Sequence, residues 1–248
     1  MASVHGEGER LRRLHDRIAE RFGEGDRLVY LGNYLGRGSS VRRTVDEVLG
    51  FRLAVLAQPG GFACDVAFLR GSQEEMWQKL LQLQFAPNPR DVMQWMLDHG
   101  VGATLEAYGS DPRLALAAAR NGPVALTRWT SGLRNAMNAM PGHTSLFSSL
   151  RHAAVSGDGQ LLFVHAGIDA SLPLEGQGDA FWWGDRDILN LAEPFAGFRR
   201  VIRGFDRQRR GLIESAFAVS LDAGAGRGGP LLAAAFAPDG AVLEFLQA

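Results

Sequence analysis

The sequence has very little cysteine and no long apolar run. Its single cysteine, Cys64, excludes a disulfide within the chain and a metal site built from several cysteines. No stretch reaches the ~18 consecutive apolar residues that a membrane-spanning helix needs. The opening MASVHGEGER also contains no apolar segment of signal-peptide length. We therefore expect a cytoplasmic protein with no membrane partner.

An excess of charge of either sign is lacking as well. Lysine and arginine together number 26 and the acidic residues 27, which gives a formal net charge of −1. A balanced chain has no overall field that would attract a nucleic-acid backbone, although local basic patches are not excluded. We expect no nucleic-acid partner.

What is present resembles an ordinary globular protein. Apolar residues make up 46% of the 248 positions and charged residues 21%, so a sizeable core is expected. This length is at the upper end for one domain, or fits a domain that carries an insertion. We predict a single domain over residues 1–248.

Short apolar runs alternate with amphipathic segments and glycine-containing polar loops, a pattern typical of α/β proteins. Helical spacing predicts helices over residues 9–22 and 41–51 and another from residue 76. Residues 84–154 contain helical patterns separated by breakers and no clear strand, so we predict a helical cap there. Strands are predicted over residues 28–31, 52–57, 65–69, 161–164, 200–202 and 217–221, and in a closing hairpin at 231–236 and 242–246.

Several polar loops follow predicted strands and are expected to converge on one crevice. Residue chemistry argues against a pair of metal ions there, because hard divalent cations favour carboxylate oxygens together with imidazole. The only carboxylates near these loop positions are Glu74 and Glu75. Their place at a predicted helix start fits a capping role better than metal binding. The loop residues are His5, Asn33 with Arg37, Ser72 with Gln73, His165, and the arginine-rich segment 203–210.

Read in order, these loops resemble the motifs of the calcineurin-like metallophosphoesterases. Within that family, the chain resembles the bacterial branch that contains serine/threonine protein phosphatases and symmetrical diadenosine tetraphosphatases. The family carries G-D-x-H-G, G-D-x-x-D-R-G, G-N-H-E, V-H-A-G and G-H-T. The corresponding stretches here are ASVHG at 2–6, GNYLGRG at 32–38, GSQE at 71–74, VHAG at 164–167 and GFD at 204–206.

The resemblance extends over essentially the whole chain. It implies a β-sandwich of two mixed sheets flanked by helices, with the cap inserted. It also implies a site for two divalent metals, drawn from manganese, iron and zinc, which would act on a phosphate ester.

The departures from the family all fall on its chemistry. Ser3, Asn33, Ser72 and Phe205 stand where the family has metal ligands, and Asn33 replaces the bridging aspartate. The remnant metal positions are His5, Asn33 and His165. Gln73 replaces the general-acid histidine, and Gly36 the aspartate that supports it. We therefore predict a pseudophosphatase without a metal cofactor. The alternative is a residual metal-dependent phosphoesterase, similar to a protein phosphatase or a dinucleoside polyphosphate hydrolase, with one metal at the remnant positions.

The arginines that remain could hold an anionic ligand, since a guanidinium is a forked donor suited to phosphate. Arg37 belongs to the second motif, and Arg203 and Arg207 lie where the family ends its metal site. Arg186 is offset by one place from a phosphate-contacting arginine of the family. We predict a phosphorylated small molecule or phosphoprotein as ligand. A protein partner at the cap, or an ordinary solvated arginine patch, are the alternatives.

Overall fold

A computed structural model describes residues 1–184 and 186–248. The helices are α1 (Gly8–Ala19), α2 (Val41–Leu56), α3 (Ser72–Leu80), α4 (Pro89–Asp98), α5 (Gly102–Ala107), α6 (Pro112–Arg120), α7 (Pro123–Asn138), α8 (His143–Ser149) and α9 (Ala180–Trp183). The strands are β1 (Leu28–Tyr30), β2 (Val66–Phe68), β3 (Ala153–Val155), β4 (Leu161–Val164), β5 (Arg200–Arg203), β6 (Gly211–Glu214), β7 (Ala218–Asp222), β8 (Leu232–Phe236) and β9 (Val242–Gln247).

One layer is a five-stranded sheet with the order β3-β4-β5-β7-β6. Its three central strands run parallel, and each edge strand is antiparallel to its neighbour. The carboxyl ends of β4, β5 and β7 therefore lie at one edge of the sheet. His165, Gly204 and Ala223 follow those three ends directly.

The second layer is assembled around the first four residues. The Met1 amino group donates to the Val29 carbonyl at 3.0 Å, and the Ala2 amide donates to the Leu232 carbonyl at 2.9 Å. Residues 1–4 thus join parallel β1 and β2 to the antiparallel hairpin of β8 and β9. The described residues form one mixed five-stranded sheet, a parallel pair and an antiparallel hairpin, flanked by helices, which is the mixed α/β architecture that was predicted.

Apolar side chains fill the space between the layers and also cover the outer face of the larger sheet. Because side chains alternate along a strand, Leu161 joins the core between the layers while Leu162 and Val164 join the outer one, with Phe181 and Trp182. The unbroken apolar run that predicted a doubly buried β4 is explained by these two cores.

One local prediction was wrong and two short strands were missed. Residues 52–57 do not form a strand but continue α2 to Leu56, since nothing breaks the helix before Pro59 and Val55 faces the core at helical spacing. The edge strands β3 and β6 were not predicted. They are short, and each depends for its strand conformation on antiparallel pairing with the strand that follows it along the chain, β4 or β7.

The helices α4 to α8 occupy the region predicted as a cap, except that β3 ends it. The division into a domain and an inserted cap stays a prediction. Within the described residues, no helix has the length and apolar character to cross a membrane.

Two buried histidines fix α2 to the elements around it. His15 donates to the Glu47 carboxylate at 2.6 Å and accepts from the Tyr30 hydroxyl at 2.7 Å. His143 bonds the Asp46 carboxylate at 3.0 Å and the Tyr108 hydroxyl at 2.7 Å. Since α2 starts directly after the glycine loop 32–38, these contacts also hold that loop in place.

Candidate anion-binding site

Glu74 holds the glycine loop against the start of α3. Its buried carboxylate accepts hydrogen bonds from the amides of Asn33 (2.8 Å), Leu35 (3.0 Å) and Gly71 (2.9 Å). Burial raises the pKa of Glu74, and these backbone hydrogen bonds oppose the rise. The bond to Gly71 is the capping contact expected from the sequence. The Asn33 and Leu35 amides also donate to the carboxylate, one to each oxygen, so Glu74 serves the backbone and does not face a ligand.

Asn33 lies at the centre of the site with its amide orientation fixed. Its Oδ1 accepts from the Gln73 backbone amide at 2.9 Å and from the Ser72 hydroxyl at 3.2 Å. A backbone N–H can only donate, so the oxygen of Asn33 must face Gln73. Its NH₂ group therefore faces His5, whose Nε2 lies 3.3 Å away. The side chain presents a donor to the site where a metal would need an acceptor.

The two histidines are close together and buried. Burial lowers the pKa of His5 to about 3, with the Arg37 charge contributing, and burial lowers the pKa of His165 to about 4. Both rings are neutral at pH 7. His165 donates from Nδ1 to the Leu31 carbonyl at 2.6 Å, while its Nε2 has no hydrogen-bond partner in the described structure.

Phe205 covers both imidazoles. It stacks on His165 with ring centroids 5.3 Å apart and planes at 13°, and meets His5 edge-on at 6.2 Å. The sequence placed this phenylalanine where the resembled family has a metal-binding histidine. An apolar ring here shields the imidazoles without offering a ligand atom. The Ser3 hydroxyl is also buried and has no hydrogen-bond partner in the described structure.

Gln73 and Gly36 occupy the remaining catalytic positions of the resembled family, and they are in direct contact. The Gln73 amide fills the space beside Gly36, so that a Cβ atom on Gly36 would collide with it. Gln73 donates from Nε2 to the His99 carbonyl at 2.9 Å. An amide cannot act as a general acid at neutral pH.

These residues do not fit a pair of divalent metals. Among the described residues, the site offers two neutral imidazoles and hydroxyl, amide and phenyl groups, but no free carboxylate to balance the charge of two cations. Across residues 1–184 and 186–248, no three histidine, cysteine, aspartate or glutamate side chains are grouped as an ion would require.

Arg37 lies beside this centre. It has left-handed backbone geometry with φ of 51°, packs against Gly100, and donates from one Nη to the His99 carbonyl at 2.9 Å. The same carbonyl accepts from Gln73. Arg37 is half-buried, and its role as an anion contact stays a prediction.

Arg203 is buried and already has several partners in the fold. Its buried guanidinium lies 3.0 Å from the Asp187 carboxylate and 3.1 Å from that of Asp206, and it also donates to Ser220 at 3.0 Å. Arg210 contacts the same two carboxylates, at 2.7 Å each. Two arginines and two aspartates thus form one ionic network, and ligand binding by Arg203 stays a prediction.

The other two predicted arginines lie at the same edge. Arg186 is exposed and lies 3.3 Å from the Asp169 carboxylate. Arg207 donates to the Trp183 carbonyl at 2.9 Å. Both line, with Arg203 and Phe205, a small cavity of about 100 Å³. Their roles toward a ligand stay predictions.

Arg209 and Arg227 were not among the predicted ligand contacts, yet both approach Arg37. Burial lowers the pKa of Arg37, and the charges of Arg227 and Arg209 lower it further. Arg227 belongs to the segment DAGAGRGG that follows β7. A cation within a glycine-rich loop at a strand end is the same signal that pointed to Arg37, so the sequence contained the information.

No family model matches the chain, and no curated protein matches it. Among solved structures, a "putative diadenosine tetraphosphatase" is similar over 99% of this chain and 90% of its own, with a TM-score of 0.56 at 20% identity. A protein serine/threonine phosphatase from Saccharomyces cerevisiae covers 93% of this chain and 69% of its own, with a TM-score of 0.44 at 12% identity. The first of these likenesses shows that the chain has a metallophosphoesterase-like fold.

Proposed function

We propose that this chain is a pseudophosphatase, a metallophosphoesterase-like protein that binds a phosphorylated ligand and does not hydrolyse it. The observation that carries the proposal is the fixed orientation of Asn33. Its NH₂ group faces His5 at 3.3 Å because its oxygen is bound by the Gln73 amide. A position that would bridge two cations is thereby occupied by a hydrogen-bond donor.

Loss of hydrolysis follows from two independent changes. Without a carboxylate at positions 3 and 33, no group offsets the repulsion between two metal ions. Without an acid at position 73, the leaving group receives no proton, which alone typically costs a factor of about 10²–10⁴ in rate.

Retention of ligand binding is supported by Arg37. Its single bond to the His99 carbonyl leaves other N–H groups of the guanidinium available, and the part of the chain that the structure describes places no carboxylate on it. An arginine in this state is suited to a phosphate group.

Metal content and turnover test the loss of hydrolysis. Purified protein incubated with manganese, iron or zinc should retain substoichiometric metal after dialysis, measured by elemental analysis. Its turnover of p-nitrophenyl phosphate should equal that of a Gln73→Ala variant. A triple variant, Ser3→Asp with Asn33→Asp and Phe205→His, is the matched positive comparison and should retain metal.

Stoichiometric metal in the natural chain, with turnover above the Gln73→Ala variant, would contradict the proposal. It would favour the residual phosphoesterase with a single ion at His5, Asn33 and His165. Ligand binding is tested separately by calorimetry with orthophosphate and a phosphopeptide at low salt. An absence of heat for both would remove the binding half of the proposal.

A protein partner at the helical region is a second candidate, favoured by apolar side chains exposed there. Phe85 is 81% exposed and Val124 74%, although large apolar side chains are more often buried. Pull-down with the natural chain and with a Phe85→Ser, Val124→Ser variant tests it. Equal recovery of every partner by both would count against this candidate. A cytoplasmic location belongs to the same proposal and is checked by cell fractionation.

A further inference from the structure

Three loops bring Arg37, Arg209 and Arg227 to one place. The loop 222–229 lies between the other two, as its glycines show. A Cβ atom on Gly226 would be 3.2 Å from the Cβ of Arg37, and one on Gly224 would be 3.2 Å from the Cδ of Arg209. Arg227 extends from this same loop and is exposed. The arrangement is therefore set by backbone packing and not only by flexible side chains.

No carboxylate balances these three charges within residues 1–184 and 186–248. None of the three arginines takes part in an ion pair there. The charges of Arg209 and Arg227 instead act on Arg37 and disfavour its protonated form. Like charges held together without a partner are unfavourable, so this group is suited to an added anion.

Backbone geometry marks the same place. Five non-glycine residues in the described ranges have left-handed φ, and four of them are His5, Asn33, Arg37 and Arg209, with φ between 51° and 54°. Such residues are held against a conformational cost and cluster at ligand-binding sites. Arg209 shares this property with the three residues of the central site.

We infer that Arg209 and Arg227 extend the Arg37 site so that it takes a ligand with two or more linked phosphate groups in preference to a monophosphate. The inference rests on the proposed function and adds to it the class of ligand and two residues that select it. Each phosphate group is suited to a forked guanidinium contact. Three guanidinium groups around one locus exceed what a single phosphate dianion needs, whereas a pyrophosphate group can engage all three.

Calorimetry with orthophosphate, pyrophosphate, tripolyphosphate and ADP tests this inference on the full chain. Pyrophosphate should bind at least about tenfold more tightly than orthophosphate, because it can make at least one further charge-assisted contact; a tenfold difference in affinity is about 1.4 kcal/mol. Comparison of ADP with pyrophosphate shows whether the linked phosphates are recognised free or as part of a nucleotide.

Single variants assign the roles. Arg209→Ala and Arg227→Ala should each weaken pyrophosphate about tenfold and change orthophosphate by less than about threefold. Arg37→Ala should weaken both. Arg227→Lys keeps the charge but loses the fork, and should fall between the natural chain and Arg227→Ala. Arg113→Ala is the matched control, since Arg113 is exposed on α6 and distant in sequence from all three loops.

The possible results separate the inference from the proposed function. Equal affinity for orthophosphate and pyrophosphate, or pyrophosphate binding unchanged by both Arg209→Ala and Arg227→Ala, overturns the inference and leaves the proposed function standing. No binding of any phosphate compound by the natural chain overturns both. Melting temperatures confirm that each variant is folded.

Discussion

Two groups of arginines at one edge of the larger sheet show opposite behaviour. Arg203 and Arg210 are neutralised by Asp187 and Asp206 in a partly buried network. Arg37, Arg209 and Arg227 lie near one another and form no ion pair in the described part of the chain. Arg209 and Arg210 are adjacent in sequence and belong to different groups. The role of an arginine here is decided by the partners that the fold supplies.

The comparison teaches what each group contributes. A paired buried arginine is a structural element, because its removal leaves the buried Asp206 carboxylate with less opposite charge beside it. The exposed Arg209 and Arg227, which have no ion pair in the described residues, should contribute little to folding and are accessible to a ligand. Stability measurements and binding measurements should therefore separate the two groups.

The largest effect is expected for Arg203→Ala. It leaves the Asp206 and Asp187 carboxylates with Arg210 alone and removes a bond to Ser220. The free energy of unfolding should fall by about 3–5 kcal/mol, measured by urea denaturation. Arg203→Met combined with Asp206→Asn, which removes a charge of each sign, is the control and should restore part of the loss. A loss below about 1 kcal/mol would contradict the structural role.

A smaller effect, on binding alone, is expected for Arg227→Glu. The substitution places a carboxylate beside Arg37 and so converts the unpaired group into a paired one. Pyrophosphate affinity should fall about a hundredfold, or about 2.7 kcal/mol, by calorimetry. Urea denaturation should show unchanged or slightly higher stability. Unchanged pyrophosphate binding would show that the group does not contact the ligand.

Acid should weaken the paired group. Burial would raise the pKa of Asp206, but the hydrogen bond from Arg210 and the charge of Arg203 outweigh it and hold this pKa below its usual value. A lowered folded pKa contributes stability above the unfolded value of about 3.9, and this contribution is lost as pH falls through the folded pKa. Urea denaturation between pH 6 and pH 3 should therefore show a steeper decline for the natural chain than for Asp206→Asn. An equal decline of stability with pH in the natural chain and in Asp206→Asn would contradict this role of Asp206.

The smallest effect is expected for Arg209→Ala and Arg227→Ala on folding. Both side chains are exposed and have no ion pair in the described residues, so stability should change by less than about 0.5 kcal/mol. At low salt each variant should be the same as or slightly more stable than the natural chain, because repulsion on Arg37 is relieved. Thermal melts at low and high salt measure this. A clear loss of stability would place these arginines in the structural group.

Much of the fold was predictable because it depends on local patterns. The apolar runs at Leu28–Tyr30 and Leu161–Val164 are buried on both faces, which is why they read as strands. Residues 52–57 are apolar at intervals that suit either element, and only the continuation of α2 decides between them. The edge strands β3 and β6 depend on pairing with other strands, which no local pattern contains.

The site was predictable only in part, for a similar reason. The position of polar loops after strand ends predicted His5, Asn33, Arg37 and His165 as site residues. The fold brings these four residues together. The pairing of Arg203 with Asp187 joins a strand to a loop that precedes it, and the approach of Arg227 to Arg37 joins distant segments. Such contacts follow from the assembled fold and not from spacing along the chain.

The contact between Gln73 and Gly36 has an evolutionary consequence. A carboxylate at position 36 would require the Gln73 amide to move, because the new Cβ atom would collide with it, and would also have to adopt a left-handed φ of 81°. A histidine at position 73 alone would lack the acidic neighbour that the resembled motif supplies. Each change is unfavourable or idle without the other, so a working general acid depends on coupled changes at these two positions, in addition to the metal ligands that are missing at positions 3, 33 and 205. A single substitution at position 36 or at position 73 therefore gains nothing toward protonating a leaving group.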